Sequence, residues 1–117
     1  MRERPRDNER LQHILEAINN IFEFTKGVSF DDFCNNKMLR FAVVKNLEIV
    51  GEAAYLLSKE FKHHHPKIEW DDIIAMRHVL VHGYYNIRNE RIWAAIITDI
   101  PLLQDQIKNI YNKPDSE

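Results

Sequence analysis

Apolar residues recur at intervals of three and four positions in four separate stretches of this 117-residue chain. That spacing places apolar side chains on one face of a helix, whereas a half-buried strand alternates at every second residue. Only three glycines and four prolines interrupt the chain. The pattern predicts helices over residues 7–26, 37–59, 70–81 and 90–111, with a short helical turn over residues 30–35.

The connections between these predicted helices are short, and no internal repeat or linker divides the chain. Short connections favour an all-α fold of the up-and-down type, a four-helix bundle in which successive helices run in opposite directions. We therefore expect a single helical domain over residues 1–117.

The predicted second helix carries two apolar stripes, which indicates that it is buried on two sides. The second side predicts a homodimer that forms through the second and third helices. The two stripes consist of Leu39, Val43, Leu47, Val50, Ala54 and Leu57, and of Ala42, Ile49, Ala53 and Leu56.

Residues with known preferences for helix ends lie near the predicted boundaries. Asp7, Ser29 and Asn89 are predicted to cap the first, the short and the fourth helix through their side-chain oxygens. Gly27 is predicted to adopt a left-handed conformation after the first helix. Pro101 is predicted to kink the fourth helix, because it lacks a backbone donor.

Several classes of protein are disfavoured by simple counts. A single cysteine, Cys34, excludes an intrachain disulfide and a zinc site built from several thiolates, and it fits a reducing cytoplasm. We expect no signal peptide, because no apolar segment follows the charged start, and no apolar run approaches the roughly 20 residues that span a bilayer. We expect a cytoplasmic protein without membrane contact. Because the net charge is −2, nucleic-acid binding would have to rest on a local basic patch.

The segment "KEFKHHHPKIEW", residues 59–70, reads as a loop with three consecutive histidines, His63 to His65. Imidazole binds transition metals, but consecutive loop residues rarely point at one ion, so a solvated polar loop is the favoured interpretation. With Lys62 and Lys67, the loop could instead provide local positive charge beside an anionic ligand. We predict no metal site here.

The stretch "AMRHVLVHGYYNI", residues 75–87, concentrates groups suited to phosphodiester cleavage. The imidazole of His82 can take a proton from one oxygen and return it to another. The guanidinium of Arg77 can bind phosphate oxygens and stabilise charge in the transition state. Tyr84 can hydrogen-bond a phosphate or stack on a base. No acidic cluster with metal-ligand spacing accompanies them, so a metal-independent reaction is predicted.

The five-residue separation of Arg77 and His82 places them roughly 140° apart on an unbroken helix. They can converge if the helix widens just before Gly83, or across a two-fold axis between two chains. The intervening residues 79–81 are all apolar and are predicted to hold this helix against the core.

An ordinary helix end is the alternative interpretation of the same residues. In that case Arg77 pairs with Asp71 or Asp72, and His82 caps the last carbonyl groups of the helix.

The stretch "MRHVLVHGYYNI" has companions elsewhere in the chain: "NLEIVGEAA" and "HPKIEWDDIIA" precede it, and "IWAAIITDIPLL" follows it. Together these blocks cover nearly the whole chain and resemble the HepT-like branch of the HEPN superfamily. The resemblance implies a four-helix bundle that dimerises and places two motifs around a shared cleft. It also implies a metal-independent endoribonuclease that acts as the toxin of a toxin–antitoxin pair, with no cofactor.

The family signature R-x-x-x-x-H-x-Y falls on Arg77, His82 and Tyr84. The resemblance implies that His82 is the general acid and base and that Arg77 binds the phosphate. It also implies an antitoxin partner, a minimal nucleotidyltransferase of the MntA type, which transfers AMP onto Tyr84. The added phosphate would block the cleft by charge and bulk.

Four further residues near the motif have open roles. Gly83 would let the backbone turn, and Tyr85 is expected to pack rather than react. His78 stands where many relatives have asparagine, and it would either keep a polar contact or add a second titrating group. Glu52 would orient the motif arginine across the bundle, or would simply be a carboxylate on the helix surface.

Two other functions compete with the ribonuclease. A non-catalytic module could use the same cleft to bind a nucleotide or its nucleotidyltransferase partner, because a nucleotide phosphate needs the same groups. A purely structural helical dimer is a third interpretation, which leaves the three motif residues without a shared role.

Overall fold

The computed structural model describes residues 3–112, and within that range every side chain except those of residues 3–5, 84 and 112. The described part is helical and contains no strand. Its elements are α1 (Glu3–Thr25), α2 (Phe30–Cys34), α3 (Lys37–Leu56), α4 (Lys59–His64), α5 (Trp70–Gly83), a 3₁₀ turn (Tyr84–Asn86), α6 (Asn89–Ala94), a π-helical turn (Ala95–Asp99) and α7 (Ile100–Asn112).

Neighbouring long helices run antiparallel. As residue numbers rise along one helix, the numbers of the residues that it contacts fall along the next. Between α1 and α3, Asn20 contacts Asn46, and Asp7 contacts Ser58, just past the end of α3. Between α3 and α5, Gly51 lies beside Arg77, and Arg40 near the start of α3 contacts Ile87, past the end of α5. Between α1 and α7, Asn19 contacts Gln104, and Asn8 contacts Tyr111. The predicted all-α bundle is confirmed.

Apolar side chains from every long helix fill the space between them. Fully buried examples are Leu11, Ile14, Ile18, Ile21, Val43, Leu80, Ile92 and Ile107. The short helix α2 joins this core through Phe33, whose ring centre lies 5.3 Å from that of Trp93. No described helix combines the length and the apolar character that crossing a membrane would require.

The predicted helix ends are confirmed where the signal is local. Gly27 has a φ of 71° after α1, a conformation that glycine adopts without strain. Ser29 caps α2, because its Oγ accepts from the Asp32 amide at 3.0 Å and the Asp32 carboxylate accepts from the Ser29 amide at 3.3 Å. This reciprocal pair is a capping box.

The other two predicted caps are wrong. Asp7 lies inside α1, only 5% exposed, and its carboxylate accepts from the Ser58 amide at 2.9 Å and the Ser58 hydroxyl at 2.8 Å. Asn89 is the first residue of α6, and its Oδ1 accepts from Arg40 Nε at 2.6 Å. Both side chains connect distant helices instead of capping their own.

The predicted loop over residues 59–70 is also wrong in its first half, which forms α4. Ser58 begins this helix, because its Oγ accepts from the Phe61 amide at 3.0 Å. Lys62 Nζ donates to the carbonyl oxygens of Ala54 and Tyr55 at the end of α3. Burial lowers the pKa of Lys62, although nearby carboxylates act in the opposite direction.

Replacing Asp7 with alanine is expected to lower the free energy of unfolding by about 1–3 kcal/mol, because it leaves the Ser58 amide without its buried acceptor. Urea unfolding against Glu9→Ala, an exposed acidic position on the same helix, measures the difference. Equal midpoints for the two variants would contradict this role of Asp7.

A π-helical turn, Ala95–Asp99, precedes Pro101, the residue that is predicted to kink this helix. The Ile100 amide donates to the Ala95 carbonyl, five residues earlier, instead of four. Proline has no amide to continue the α-helical ladder at the next position. Within this turn the Ile97 side chain is 57% exposed.

Candidate active site

The predicted motif lies at the carboxyl end of α5, which is unbroken from Trp70 to Gly83. The helix therefore does not widen before Gly83, and the roughly 140° between positions 77 and 82 remains. Leu80 is buried, whereas Val79 and Val81 are 45% and 44% exposed. The prediction that all three residues hold α5 against the core is therefore wrong for the two valines.

Arg77 is held against α3 by an ion pair. Its Nε lies 2.7 Å from Oε1 of Glu52, and the two side chains are 32% and 47% exposed. Of the two interpretations of Glu52, the structure contains the ion pair with Arg77 across the bundle, and it does not pair Arg77 with Asp71 or Asp72. Because the guanidinium stays partly exposed, it can still meet a phosphate group.

Gly51 allows this close approach of α3 and α5. A Cβ atom at position 51 would overlap Cβ of Arg77 and would lie 3.2 Å from the carbonyl oxygen of Ile73. Only glycine fits without a shift of one helix. Sequence reasoning missed this role, although a glycine inside a helical pattern is itself a signal of close packing.

His78 and His82 lie one turn apart on the outer surface of α5. Their ring centres are 4.5 Å apart, the ring planes are tilted by 51°, and both side chains are exposed. The structure therefore brings His78 to His82, and Glu52 to Arg77, as two separate pairs on different sides of one helix.

The residues after α5 differ from their predicted roles. Gly83 has no positive φ, and a Cβ there would meet nothing within 4 Å, so the backbone does not need glycine in order to turn. Tyr84 begins the 3₁₀ turn, and its side chain lies outside the described part. Tyr85 is 84% exposed, so the expectation that it packs is wrong for the single chain.

The three consecutive histidines, His63 to His65, lie in different environments. His63 and His64 are exposed at the end of α4, whereas the His65 ring packs against Phe61 with 4.5 Å between centres. Within the described residues, no group of three or more histidine, cysteine or acidic side chains could hold a metal ion.

A groove of about 480 Å³ lies between α5 and the α6–α7 helix, apart from Arg77 and His82. Its lining is mainly apolar and includes Ile73, Met76 and Leu103, with Arg91 and Asp99 at one side. The described residues that line this groove include no histidine, and their cation, Arg91, has its Nη1 3.8 Å from Oδ2 of Asp99.

A family model described as ribonuclease HepT-like matches residues 14–110. The chain belongs to the HepT-like ribonuclease family. Its enzyme class, an endoribonuclease, is therefore confirmed. No solved structure matches this chain significantly.

Curated relatives agree with the family assignment. A protein of Caldanaerobacter subterraneus subsp. tengcongensis, named as a predicted RNase, is 42% identical over 103 residues, which cover 88% of this chain and 92% of that protein. A protein of Methanocaldococcus jannaschii, also named as a predicted RNase, is 35% identical over 84% of this chain and 90% of its own length. A Thermococcus cleftensis protein named as a predicted ribonuclease HepT is 38% identical over 86% and 91%.

Replacing Glu52 with glutamine is expected to slow RNA cleavage by this HepT-like ribonuclease while leaving its stability nearly unchanged. A partly exposed ion pair contributes at most about 1 kcal/mol, so the unfolding midpoint should barely move. The Arg77 guanidinium would nevertheless lose the ion pair that holds it in place, so the rate of RNA cleavage should fall by about 10–100-fold.

The matched control for this prediction is Glu48→Gln, which removes a carboxylate one turn earlier on α3. Initial rates of cleavage and urea unfolding are measured on both variants. Equal rates for the two would refute the positioning role of Glu52.

Proposed function

We propose that the chain is a metal-independent endoribonuclease toxin whose active site forms at a homodimer cleft from Arg77, His82 and Tyr84. The observation that carries this proposal is the unbroken helix α5, which turns Arg77 and His82 to different sides. One chain alone therefore presents them in different directions, whereas two chains related by a two-fold axis can bring Arg77 of one to His82 of the other.

Exposed apolar side chains support an interface on the faces of α3 and α5. Phe41 and Tyr55 lie on the same side of α3 as Glu52, and Val81 is exposed on α5. Apolar side chains of this size are costly to leave in water when they cluster, and a second copy would cover them. The helices are those of the predicted dimer, but the exposed side chains differ, because Ala53 of the predicted second stripe is buried and Leu56 is its one exposed member.

In the proposed reaction the ribose 2′-hydroxyl attacks the adjacent phosphorus. His82 accepts the proton as the P–O2′ bond forms, and the proton is returned to O5′ as the P–O5′ bond breaks. The products are a cyclic phosphate and a free 5′-hydroxyl. Arg77 stabilises the negative charge that grows on the phosphate oxygens, and Glu52 keeps the guanidinium in place.

Regulation by AMP transfer to Tyr84 completes the proposal, with a minimal nucleotidyltransferase of the MntA type as the antitoxin. Tyr84 directly follows α5, two residues after His82 in the chain, so an attached adenylate would be carried at the end of the same helix. Its phosphate would repel the RNA backbone, and its bulk would fill the cleft. The toxin would work in the cytoplasm, where its RNA substrate is.

Mixing two inactive variants tests the shared cleft. Random exchange between Arg77→Ala and His82→Ala chains makes half of all dimers mixed, and each mixed dimer regains one of two intact sites, so about a quarter of wild-type activity should return. The assay is carried out in EDTA. Failure of the mixture to regain activity, with exchange verified by mass spectrometry, would place each site within one chain.

The AMP acceptor is tested separately with a cognate nucleotidyltransferase and ATP. Wild-type protein and Tyr85→Phe should gain the mass of one adenylate and lose RNA cleavage, whereas Tyr84→Phe should do neither. No cleavage by well-folded, unmodified protein, together with nucleotide binding that Arg77→Ala removes, would favour the non-catalytic nucleotide-binding module.

A further inference from the structure

We propose that His78 and His82 form a two-histidine site for a divalent transition-metal ion, which inhibits the enzyme when it is filled. The inhibition rests on the proposed function, because it requires His82 to be the acid and base of RNA cleavage. The binding itself does not depend on that role.

The spacing of the two rings fits one shared ion. A metal bound to an imidazole nitrogen at about 2.0–2.1 Å lies about 3.1 Å from the ring centre, so two rings on one ion have centres roughly 4.4–5.2 Å apart for ordinary bond angles. The ring centres of His78 and His82 are 4.5 Å apart. The distance between the two rings therefore fits one ion bound by both.

The helix also provides the right chemistry. Histidines four residues apart lie on one face of a helix and can bind a single ion together. Both imidazoles are exposed, and within the described residues neither has a hydrogen bond or an ion pair that would compete for its nitrogens. Imidazole favours zinc, copper and nickel, whereas magnesium prefers oxygen ligands.

Two protein ligands leave the remaining positions of the ion open to water or to a phosphate oxygen. The bound nitrogen of His82 can no longer accept a proton, because its lone pair is donated to the metal. The ion would therefore stop proton transfer without taking part in the reaction. Removing it would restore the enzyme.

Zinc binding to the metal-free full chain tests the site without any need for activity. Competition with a coloured zinc indicator should give one Zn²⁺ per chain, and His78→Asn and His82→Asn should each weaken binding by at least about tenfold. The control is the double variant His63→Asn and His64→Asn, which removes the exposed histidines of α4. Binding that is lost only in that double variant, or that survives in His78→Asn, overturns the proposal.

Inhibition is then measured as the Zn²⁺ concentration that halves RNA cleavage, with each protein compared with its own metal-free rate. His78→Asn should raise that concentration by about tenfold, EDTA should reverse the inhibition, and Mg²⁺ should not imitate it. Zinc that binds to both histidines but leaves wild-type cleavage unchanged overturns the inhibitory role. A wild-type protein that cuts no RNA even in EDTA contradicts the proposed ribonuclease reaction, while the indicator experiment still decides the metal site.

Discussion

RNA cleavage by the His82→Ala variant is expected to be about 10²–10⁴-fold slower than by the wild type, the usual effect of losing a positioned acid or base. The fold should remain, because the imidazole is exposed and its ring contact in the described part is with His78. Surface substitutions of this kind change stability by less than about 0.5 kcal/mol. The loss should therefore appear in kcat, with an unchanged unfolding midpoint.

The control for His82→Ala is His13→Ala, which removes another exposed imidazole, on α1. It should leave both the rate and the midpoint unchanged. Cleavage in EDTA at the wild-type rate by pure His82→Ala protein would exclude His82 as the acid and base. A parallel loss of rate and stability would point to a structural role instead.

Replacing Gly51 with alanine is expected to destabilise the protein by about 1–3 kcal/mol, as overpacking in a tight contact does. The direction of this stability change is informative, since a glycine-to-alanine change at an unobstructed helix position would stabilise the protein by about 1 kcal/mol. At position 51 the added Cβ would overlap Cβ of Arg77, so α3 and α5 must move apart. Cleavage should fall as well, because the guanidinium moves with its helix.

Gly83→Ala provides the matched control, since a Cβ at that position meets nothing within 4 Å. Its unfolding midpoint in urea should equal or exceed that of the wild type. The close contact of α3 and α5 would be refuted if Gly51→Ala were as stable as Gly83→Ala.

The sequence predicts features whose causes lie within a few residues. Ser29 and Gly27 could be assigned because a capping box and a left-handed glycine each need only their own turn. Asp7 and Asn89 could not, because the groups that bind them, on Ser58 and Arg40, lie 51 and 49 residues away. Their side chains satisfy distant donors, and no local preference reports such a contact.

The candidate site shows the same limit. Arg77 and His82 are recognisable by residue type, and the pairing of His78 with His82 follows from helix spacing alone. The role of Gly51 depends on how closely two helices pack, which the apolar pattern does not specify. Helix α4 was missed because six residues are too few to show a helical period, so only its cap at Ser58 marks it.

The contact between α1 and α7 has a practical consequence for engineered versions of this protein. The hydroxyl of Tyr111 donates to the carbonyl oxygen of Asn8 at 3.2 Å, so the start of the first helix lies beside the end of the last. Antiparallel packing places this junction at the end of the bundle opposite His82, whose neighbours along the chain contact the start of α3 through Ile87. A covalent link between residues 8 and 111 would therefore close the described part of the chain into a ring, away from the motif.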